Sequence, residues 1–378
     1  MNQLSAGLLA AGLFITTSVS AADQNNNQSG SDKPLTIAVF GDWPYSQFLL
    51  EKAPRLIDSI NSDPMVSLVM HVGDIHSGSM PCTSAGIVPP ISSSVPLTPT
   101  SNPGWNQAVY NRFQQFNDAV VYTPGDNEWA DCYKKKESFS GDPLKELASV
   151  RSLFFAKPGH TLGLNEKKVK TQAKYFASAF KADAQFVENV MWEDSSVVFV
   201  TVNMPGSNND TLAWTGTFAN VPAQAKEVEE RTAADIRWLQ AAFEKAGEED
   251  AKAVVIGLQA DMWDPAAAAI GGDGLGEYTQ FVKTLADLSV QYGRPVLLIN
   301  GDSHVYGTDH PLAVPASATG LIHGTQAVPN LTRITVQGST SGPAEWLRLT
   351  IDTDPHALQV FSWVNVPYCS DPLNSICL

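Results

Sequence analysis

One pattern constrains the fold of this chain more than any other: short apolar segments that end in a Gly–Asp pair. It occurs in "AVFGDW", "HVGDIH", "TPGDNEW" and "NGDSH". The four aspartates are Asp42, Asp74, Asp126 and Asp302. A further apolar segment ends in "GLQADMW", where Gln259 and Asp261 stand at the matching place. A single Gly–Asp is typical of a turn or helix cap, but four at strand ends indicate a shared site.

The apolar segments themselves predict strands that are covered on both faces. They are Leu35–Phe40, Val66–Val72, Ala119–Thr123, Val197–Val202, Ala253–Leu258 and Val296–Ile299. The stretches between them predict helices at Gln47–Ile60, Trp105–Asn117, Asp142–Phe155, Ala223–Lys245 and Glu277–Tyr292. Near the end, alternation predicts antiparallel strands at Leu331–Gln337, Trp346–Asp352 and Leu358–Val364. The whole pattern predicts an α/β protein whose second sheet is largely antiparallel.

Ligands of an open α/β sheet collect beyond the carboxyl ends of its strands. A glycine before each aspartate lets the backbone turn sharply there. Several carboxylates in one crevice would repel one another by several kcal/mol for each close pair in a low dielectric, as an order of magnitude. Divalent cations would remove that repulsion, so the pattern predicts a metal site at this edge.

Composition narrows the class of protein and its surroundings. Hydrophobic residues make up 43% of the chain and charged residues 17%, which is typical of a globular protein. The formal net charge of -15 argues against binding to a nucleic acid duplex. Residues 1–22 predict a signal peptide cleaved after Ala21 or Ala22, with a frayed helix or a membrane anchor as the alternatives. Residues 23–34 predict a flexible linker, and no later segment is apolar enough to span a bilayer.

The four cysteines fit an oxidising compartment, periplasmic or extracellular. Cys369 and Cys377 flank a short segment and predict a local disulfide, which leaves Cys82 to pair with Cys132. The absence of any CxxC spacing argues against a zinc site. Two insertions, Met80–Gly104 and Gly159–Ser195, predict a lid or disordered segment and a region of undetermined structure, respectively.

The order of "GDIHSG", "GDNEW", "QAD" and "GDSH" resembles the calcineurin-like metallophosphoesterases, and most closely a divergent exported bacterial branch. The resemblance extends from Leu35 to about Val364. It implies a four-layer α/β/β/α sandwich of two mixed sheets flanked by helices. The domain would comprise residues 35–366, followed by a disulfide-closed tail at 367–378.

The same resemblance implies a set of metal ligands, most of which offer oxygen. Asp74 matches the aspartate that bridges two metals. Pro44, Asn127 and Gln259 stand where the family has histidines, so nitrogen ligands are replaced or lost. The implied ligands are Asp42, Asp74, Asp126, Gln259, Asp302 and His304. Such a set favours two cations of Mn, Mg, Fe or Ca over Zn.

Asn127 stands at the position of the family's proton donor, yet an amide cannot donate a proton to a leaving group. His76 and Glu128 are the alternative acids. Tyr45, Asn208 and Asn209 could contact substrate, although a pocket wall and a turn are the simpler interpretations.

The resulting hypothesis is an exported metal-dependent hydrolase of small or medium phosphate esters, using two metals and a metal-activated hydroxide. The alternative is a protein of the same fold that has lost catalysis and binds metal, phosphate or a partner protein. A serine hydrolase is excluded by the lack of GxSxG, and a dinucleotide-binding protein by the lack of GxGxxG after the first strand. Nothing in the sequence defines the oligomeric state.

Overall fold

The apolar segments form the centre of the structure as strands. The computed structural model describes residues 34–80, 82, 104–135, 141–269, 274–354, 356–357 and 359–377. The chain from Lys33 to Leu378 forms one compact unit. The predicted signal peptide, nearly all of the predicted linker and most of the 80–104 insertion lie outside the described residues.

The predicted strands are present close to their predicted positions. The second insertion contributes two more, and residues 307–309 form a third that the sequence did not predict. The strands are β1 Leu35–Phe40, β2 Val66–His71, β3 Ala119–Tyr122, β4 Lys170–Thr171, β5 Val190–Asp194, β6 Val197–Thr201, β7 Ala253–Gly257, β8 Val296–Asn300, β9 Gly307–Asp309, β10 Leu331–Thr335, β11 Ala344–Ile351 and β12 Phe361–Cys369.

These strands form two mixed sheets. The first has the order β12-β11-β1-β2-β3, and the second has the order β4-β5-β6-β7-β8-β10-β9. In the first sheet β1, β2 and β3 are parallel, while β11 and β12 are antiparallel additions. In the second, β6, β7, β8 and β10 are parallel, with antiparallel strands at both edges. The fold implied by the resemblance, two mixed sheets with flanking helices, is confirmed.

The prediction of a separate, largely antiparallel second sheet from the end of the chain is wrong. Strands β11 and β12 join the first sheet beside β1. Strand β10 pairs in parallel with β8 instead. Thr332 and Arg333 are only partly buried because β10 lies next to the short edge strand of the sheet, and polar residues in a strand do not define its direction.

The helices cover the outer faces of both sheets. They are α1 Gln47–Glu51, α2 Ala53–Asn61, α3 Trp105–Phe113, α4 Pro143–Phe154, α5 Gln172–Tyr175, the single turn α6 Gly206–Asp210, α7 Val221–Glu248, α8 Pro265–Ala269, α9 Thr279–Tyr292 and α10 Ala318–His323. The stretch predicted as one helix at Gln47–Ile60 is two, because the chain breaks at Lys52 and Pro54 opens the second.

Four layers follow from the alternation of side chains along each strand. In β1, Ile37 and Val39 pack between the sheets, whereas Ala38 and Phe40 face the helices of the first sheet. In β7, Val255 lies between the sheets, and its neighbours face α7 and α9. The layers are therefore helix, sheet, sheet and helix.

Both predicted disulfides are present. Cys82–Cys132 joins the segment after β2 to the 3-10 helix after β3. Cys369–Cys377 closes the loop that follows β12. Within the described residues, no helix has the length and apolar character needed to cross a membrane.

Candidate metal centre

The carboxyl ends of the parallel strands bring three Gly–Asp turns together. Asp42, Asp74 and Asp302 follow β1, β2 and β8 and have φ angles of 48°, 60° and 73°. This left-handed conformation reverses the chain directly after each strand. Two hydrogen bonds join the first two turns, from Asp42 N to Gly73 O and from Trp43 N to Asp74 O, each at 2.9 Å.

Close backbone approach explains the glycines better than turning alone. A Cβ atom at Gly125 would collide with the carboxylate of Asp74, and one at Gly301 would collide with that of Asp42. Glycine at these positions therefore lets one turn lie directly against the carboxylate of the next. The Gly–Asp pattern encodes the proximity of the turns.

Asp42, Asp74 and His304 form a group in which one ligand atom from each residue lies within 4.8 Å of the others. The hydroxyl of Tyr45 lies among them, at 3.2 Å from Asp42 Oδ1, 2.8 Å from Asp74 Oδ2 and 3.2 Å from His304 Nε2. His304 Nε2 is 3.3 Å from Asp42 Oδ1. Two ligands about 2.1 Å from one cation, at right angles to each other, are about 3 Å apart. The donor types and spacings of this group fit a divalent cation.

The ring of His304 is oriented for such a role. Its Nδ1 lies 2.9 Å from the hydroxyl of Thr340. When Nδ1–H donates to that oxygen, the lone pair of Nε2 faces the carboxylates. Sequence reasoning missed Thr340, because it lies 36 residues beyond His304 and belongs to no motif.

Asp126, Gln259 and Asp302 lie beside this group. The amide of Gln259 donates from Nε2 to Asp126 Oδ1 at 3.0 Å and to Asp74 Oδ2 at 3.3 Å. Its Oε1 accepts from the backbone N–H of Gly206, which fixes the amide orientation. Gln259 is therefore a hydrogen-bond donor here, contrary to the predicted ligand role. Asp302 accepts from Asp261 N at 3.0 Å, and its own N–H donates to Asp42 Oδ1 at 3.1 Å.

The three predicted catalytic residues, Asn127, Glu128 and His76, differ in what they contact. Asn127 contacts the centre: its Nδ2 donates to Asp74 Oδ2 at 2.9 Å and to the Tyr45 hydroxyl at 3.2 Å. Glu128 is fully buried, and its Oε1 accepts from Ile75 N at 3.0 Å and from a tyrosine hydroxyl at 2.9 Å. His76 is buried, with Nδ1 at 3.1 Å from Ser77 O.

The turn α6 holds the predicted substrate residues in an unusual conformation. Four consecutive non-glycine residues, 207–210, have φ between 50° and 59°. The side chain and carbonyl of Asn209 accept hydrogen bonds from the buried guanidinium of Arg231, so Asn209 faces the interior and not the carboxylates. Asn208 is half-buried. The predicted contact of Asn209 with substrate stays a prediction, which this inward orientation does not favour.

The residue of this turn that reaches the centre is Ser207, which the sequence did not single out. Its Oγ lies 2.8 Å from Asp126 Oδ2 and 2.7 Å from Asp131 Oδ1. One hydroxyl has a single proton, so it can donate to only one of these carboxylates at a time. No sequence signal distinguishes Ser207 from an ordinary turn serine.

The electrostatics of the centre are those of crowded, buried anions. Burial raises the pKa of Asp74 well above its ordinary value, and the charges of Asp126 and Glu128 raise it further. Burial and the charge of Asp126 likewise raise the pKa of Asp302. Burial lowers the pKa of His304, but the hydrogen bond and charge of Asp42 outweigh it, so the net shift is upward.

Burial, and then the charge of Asp74, raise the pKa of the Tyr45 hydroxyl well above its ordinary value. Among the described residues, no lysine or arginine forms an ion pair with Asp42, Asp74 or Asp302. The described part of the chain therefore gives these three aspartates no permanently charged partner; His304 can pair with Asp42 only when its ring is protonated.

Comparisons with known proteins do not assign this chain to a family. No family model and no curated protein matches it. A solved structure described as GAP50, the anchor in the inner membrane complex of Plasmodium, aligns with 88% of this chain and 89% of that chain. The identity is 10% and the TM-score is 0.43. Support for the candidate metal centre therefore comes from the set of interatomic distances within this chain.

Proposed function

We propose that this chain is an exported, metal-dependent hydrolase of phosphate esters. The observation that carries the proposal is the convergence of Asp42, Asp74 and His304, whose ligand atoms lie within 4.8 Å of one another. The Gly–Asp motifs that build this group are those on which the resemblance to calcineurin-like metallophosphoesterases rests. Asp42, Asp74 and Asp302 have no lysine or arginine partner among the described residues, which adds to the case for a divalent cation.

Asp42, Asp74 and His304 would hold one cation, with the hydroxyl of Tyr45 as a fourth donor. Asp126 and Asp302 offer carboxylates for a second. When bound, such cations supply positive charge to phosphate oxygens and lower the pKa of water toward neutrality. Because all but one of these donors are oxygens, Mn, Mg, Fe or Ca is favoured over Zn.

Hydrolysis joins the oxygen of water to phosphorus and breaks the bond between phosphorus and the ester oxygen, which takes a proton and leaves as an alcohol. Asn127 orients the Asp74 carboxylate and gives no proton. Glu128 holds the segment after Asp74 through the N–H of Ile75. His76 stays the candidate proton donor, because an imidazole can give a proton to a leaving group and an amide cannot.

Export is part of the proposal. The apolar leader at residues 1–22 and the two disulfides, Cys82–Cys132 and Cys369–Cys377, support an oxidising compartment outside the cytoplasm. Mass spectrometry of the N-terminus of the processed protein tests this part separately. A chain that begins after Ala21 or Ala22 would support it, and an intact Met1 would contradict it.

Metal content is the direct test of the centre. The chain is purified without chelators, loaded with Mn²⁺, desalted and analysed by elemental mass spectrometry beside Asp74→Asn. The matched control is Asp58→Asn, which makes the same change at an exposed position of α2. About two equivalents are expected in the parent and the control, with loss of at least one in Asp74→Asn. No bound metal in the parent would overturn the proposal.

A fold that binds without turnover is the second candidate, and a specific observation favours it. The amide of Asn127 forms hydrogen bonds with Asp74 and Tyr45. Catalysis would be served there by a side chain that can give a proton to the leaving group, which an amide cannot do. Release of phosphate from a panel of monoesters and diesters, at saturating Mn²⁺, separates the two candidates. Metal binding without phosphate release on any ester would favour the binding protein.

A further inference from the structure

A pocket of about 240 Å³ opens beside the metal centre. Three of its lining residues also contact the centre. Tyr45 places its hydroxyl among the candidate ligands, Thr340 lies 2.9 Å from His304 Nδ1, and Ser339 N donates to Asp42 O at 3.0 Å. A group attached to a phosphate at the centre would therefore have this pocket beside it.

The lining is rich in hydroxyl groups and contains no charge among the described residues. Besides Tyr45, the hydroxyl-bearing residues are Ser46, Ser77, Ser339, Thr340 and Ser375. The remaining wall is apolar and includes Phe48 and Leu373. Hydroxyls serve both as donors and as acceptors, which matches a ligand that carries hydroxyls of its own.

The apolar part of the wall suits the same kind of ligand. The side chain of Leu373 is 64% exposed although it is large and apolar, and it stands at this pocket. Phe48 is half-buried on α1. A sugar or polyol presents C–H groups as well as hydroxyls, so it can cover such apolar surface while its hydroxyls bond to the serines.

Charge and size argue against charged leaving groups and against large ones. A second phosphate or a carboxylate would find no lysine or arginine in the described lining, within a protein of net charge -15. An amine would find no carboxylate there. Pockets for drug-sized ligands measure about 300–1,000 Å³. A volume of about 240 Å³ suits a single sugar ring or a smaller polyol.

We propose that this pocket binds the uncharged, polyhydroxylated leaving group of a phosphate monoester, such as a hexose or a short polyol. The assignment rests on the proposed function. Water supplies an oxygen to the phosphorus, and the sugar or polyol keeps its own ester oxygen, gains a proton and leaves as a free alcohol. The loop closed by Cys369–Cys377 forms one wall of the pocket, through Leu373 and Ser375.

The first experiment compares substrates on the metal-loaded full chain. Initial rates are measured for a hexose 6-phosphate, glycerol phosphate, phosphocholine, a nucleoside monophosphate and 4-nitrophenyl phosphate. The pocket predicts a kcat/KM for the hexose or glycerol ester at least about ten-fold above those for phosphocholine and the nucleotide. Activity on 4-nitrophenyl phosphate without this preference would overturn the pocket assignment and leave the proposed function intact.

A matched pair of variants locates the effect. Leu373→Asp places a charge in the pocket wall, whereas Asn374→Asp places the same charge one residue away on the same exposed loop, outside the lining. We expect Leu373→Asp to lower kcat/KM for the preferred ester about ten-fold or more relative to Asn374→Asp. Equal values in the two variants would overturn the assignment.

A binding measurement separates failure of the pocket from failure of catalysis. Ligand-observed NMR with free hexose or glycerol is run on the chain in the presence of a chelator. Saturation transfer that persists in Asn374→Asp and disappears in Leu373→Asp supports the pocket even for a chain that releases no phosphate. No saturation transfer from the parent chain to the sugar or polyol, together with no preference in the rates, contradicts the pocket assignment.

Discussion

The buried aspartates at one end of this molecule fall into two groups, Asp261 on one side and Asp42 with Asp74 on the other. The two groups differ in what balances their charge. Asp261 has a partner of its own: the guanidinium of Arg333 forms an ion pair with it, and the hydroxyl of Ser303 donates to it at 2.7 Å. Asp42 and Asp74 accept hydrogen bonds from neutral donors, chiefly Tyr45, Asn127 and backbone N–H groups.

The two groups are in direct contact, so the difference is not one of location. The N–H of Asp261 donates to the carboxylate of Asp302, whose N–H in turn donates to Asp42. Arg333 also pairs with Asp309 and lies 5.2 Å from the ring of Trp263. Among the described residues, an arginine pairs with Asp261, whereas no lysine or arginine pairs with Asp42 or Asp74. Under the proposed function, a divalent cation would balance the charge of Asp42 and Asp74.

The largest effect should come from removing the internal cation. Arg333→Met leaves the charge of Asp261 buried without a cationic partner, which costs about 3–5 kcal/mol of unfolding free energy. Urea unfolding measures the loss, and the metal content should stay at the parent value. Lys226→Met is the control, because it breaks an exposed pair with Glu230 that contributes about 0.5 kcal/mol or less. A loss in Arg333→Met no larger than in the control would break the comparison.

The next effect should come from removing the external cation. A cation at 100 times its dissociation constant stabilises the folded chain by about 2.7 kcal/mol. The unfolding free energy of the parent should fall by that amount when chelator replaces Mn²⁺. Asp74→Asn should show a smaller difference than the parent, because it loses at least one of the two cations, whereas Arg333→Met should show the full difference from a lower starting value. Equal responses in both variants would mean that the two groups of aspartates do not differ in this way.

The contrast also shows how far the sequence predicts the centre. Asp42, Asp74 and His304 could be found because each follows a buried strand, and parallel strands end at the same edge. Thr340, Ser207 and Arg333 could not, since their partners lie 36, 81 and 72 residues away, and only the packed chain brings them together.

The sequence also does not predict how these side chains are oriented. Gln259 lies beside the carboxylates, but its amide presents nitrogen to them because the N–H of Gly206 donates to its oxygen. Asn209 turns inward because the buried guanidinium of Arg231 needs acceptors. The fold was more accessible, since the apolar segments specify the strands, whereas the pairing of β10 depends on a crossover that no local pattern encodes.

The smallest effect concerns His71, a buried ionisable group that is kept neutral. Its Nδ1 accepts from Gly73 N at 3.2 Å, and its Nε2 lies 3.0 Å from Trp43 O. Burial lowers its pKa from 6.5 to about 3, which the hydrogen bond to Trp43 O opposes only in part. Below pH 6.5 the unfolded chain gains a proton that the folded chain does not bind. The unfolding free energy therefore decreases as the pH is lowered from about 6.5 to about 3.

His71→Gln removes that titration while keeping a donor for Trp43 O, so its stability should depend less on pH. Between about pH 6.5 and 5.5 the parent should lose about 1 kcal/mol more unfolding free energy than the variant. Urea unfolding in chelator measures this without a contribution from metal release, and His356→Gln, at an exposed position, is the control. The same pH dependence in the parent and in His71→Gln would show that the acid sensitivity lies elsewhere, and the crowded carboxylates of the centre would then be the next groups to titrate.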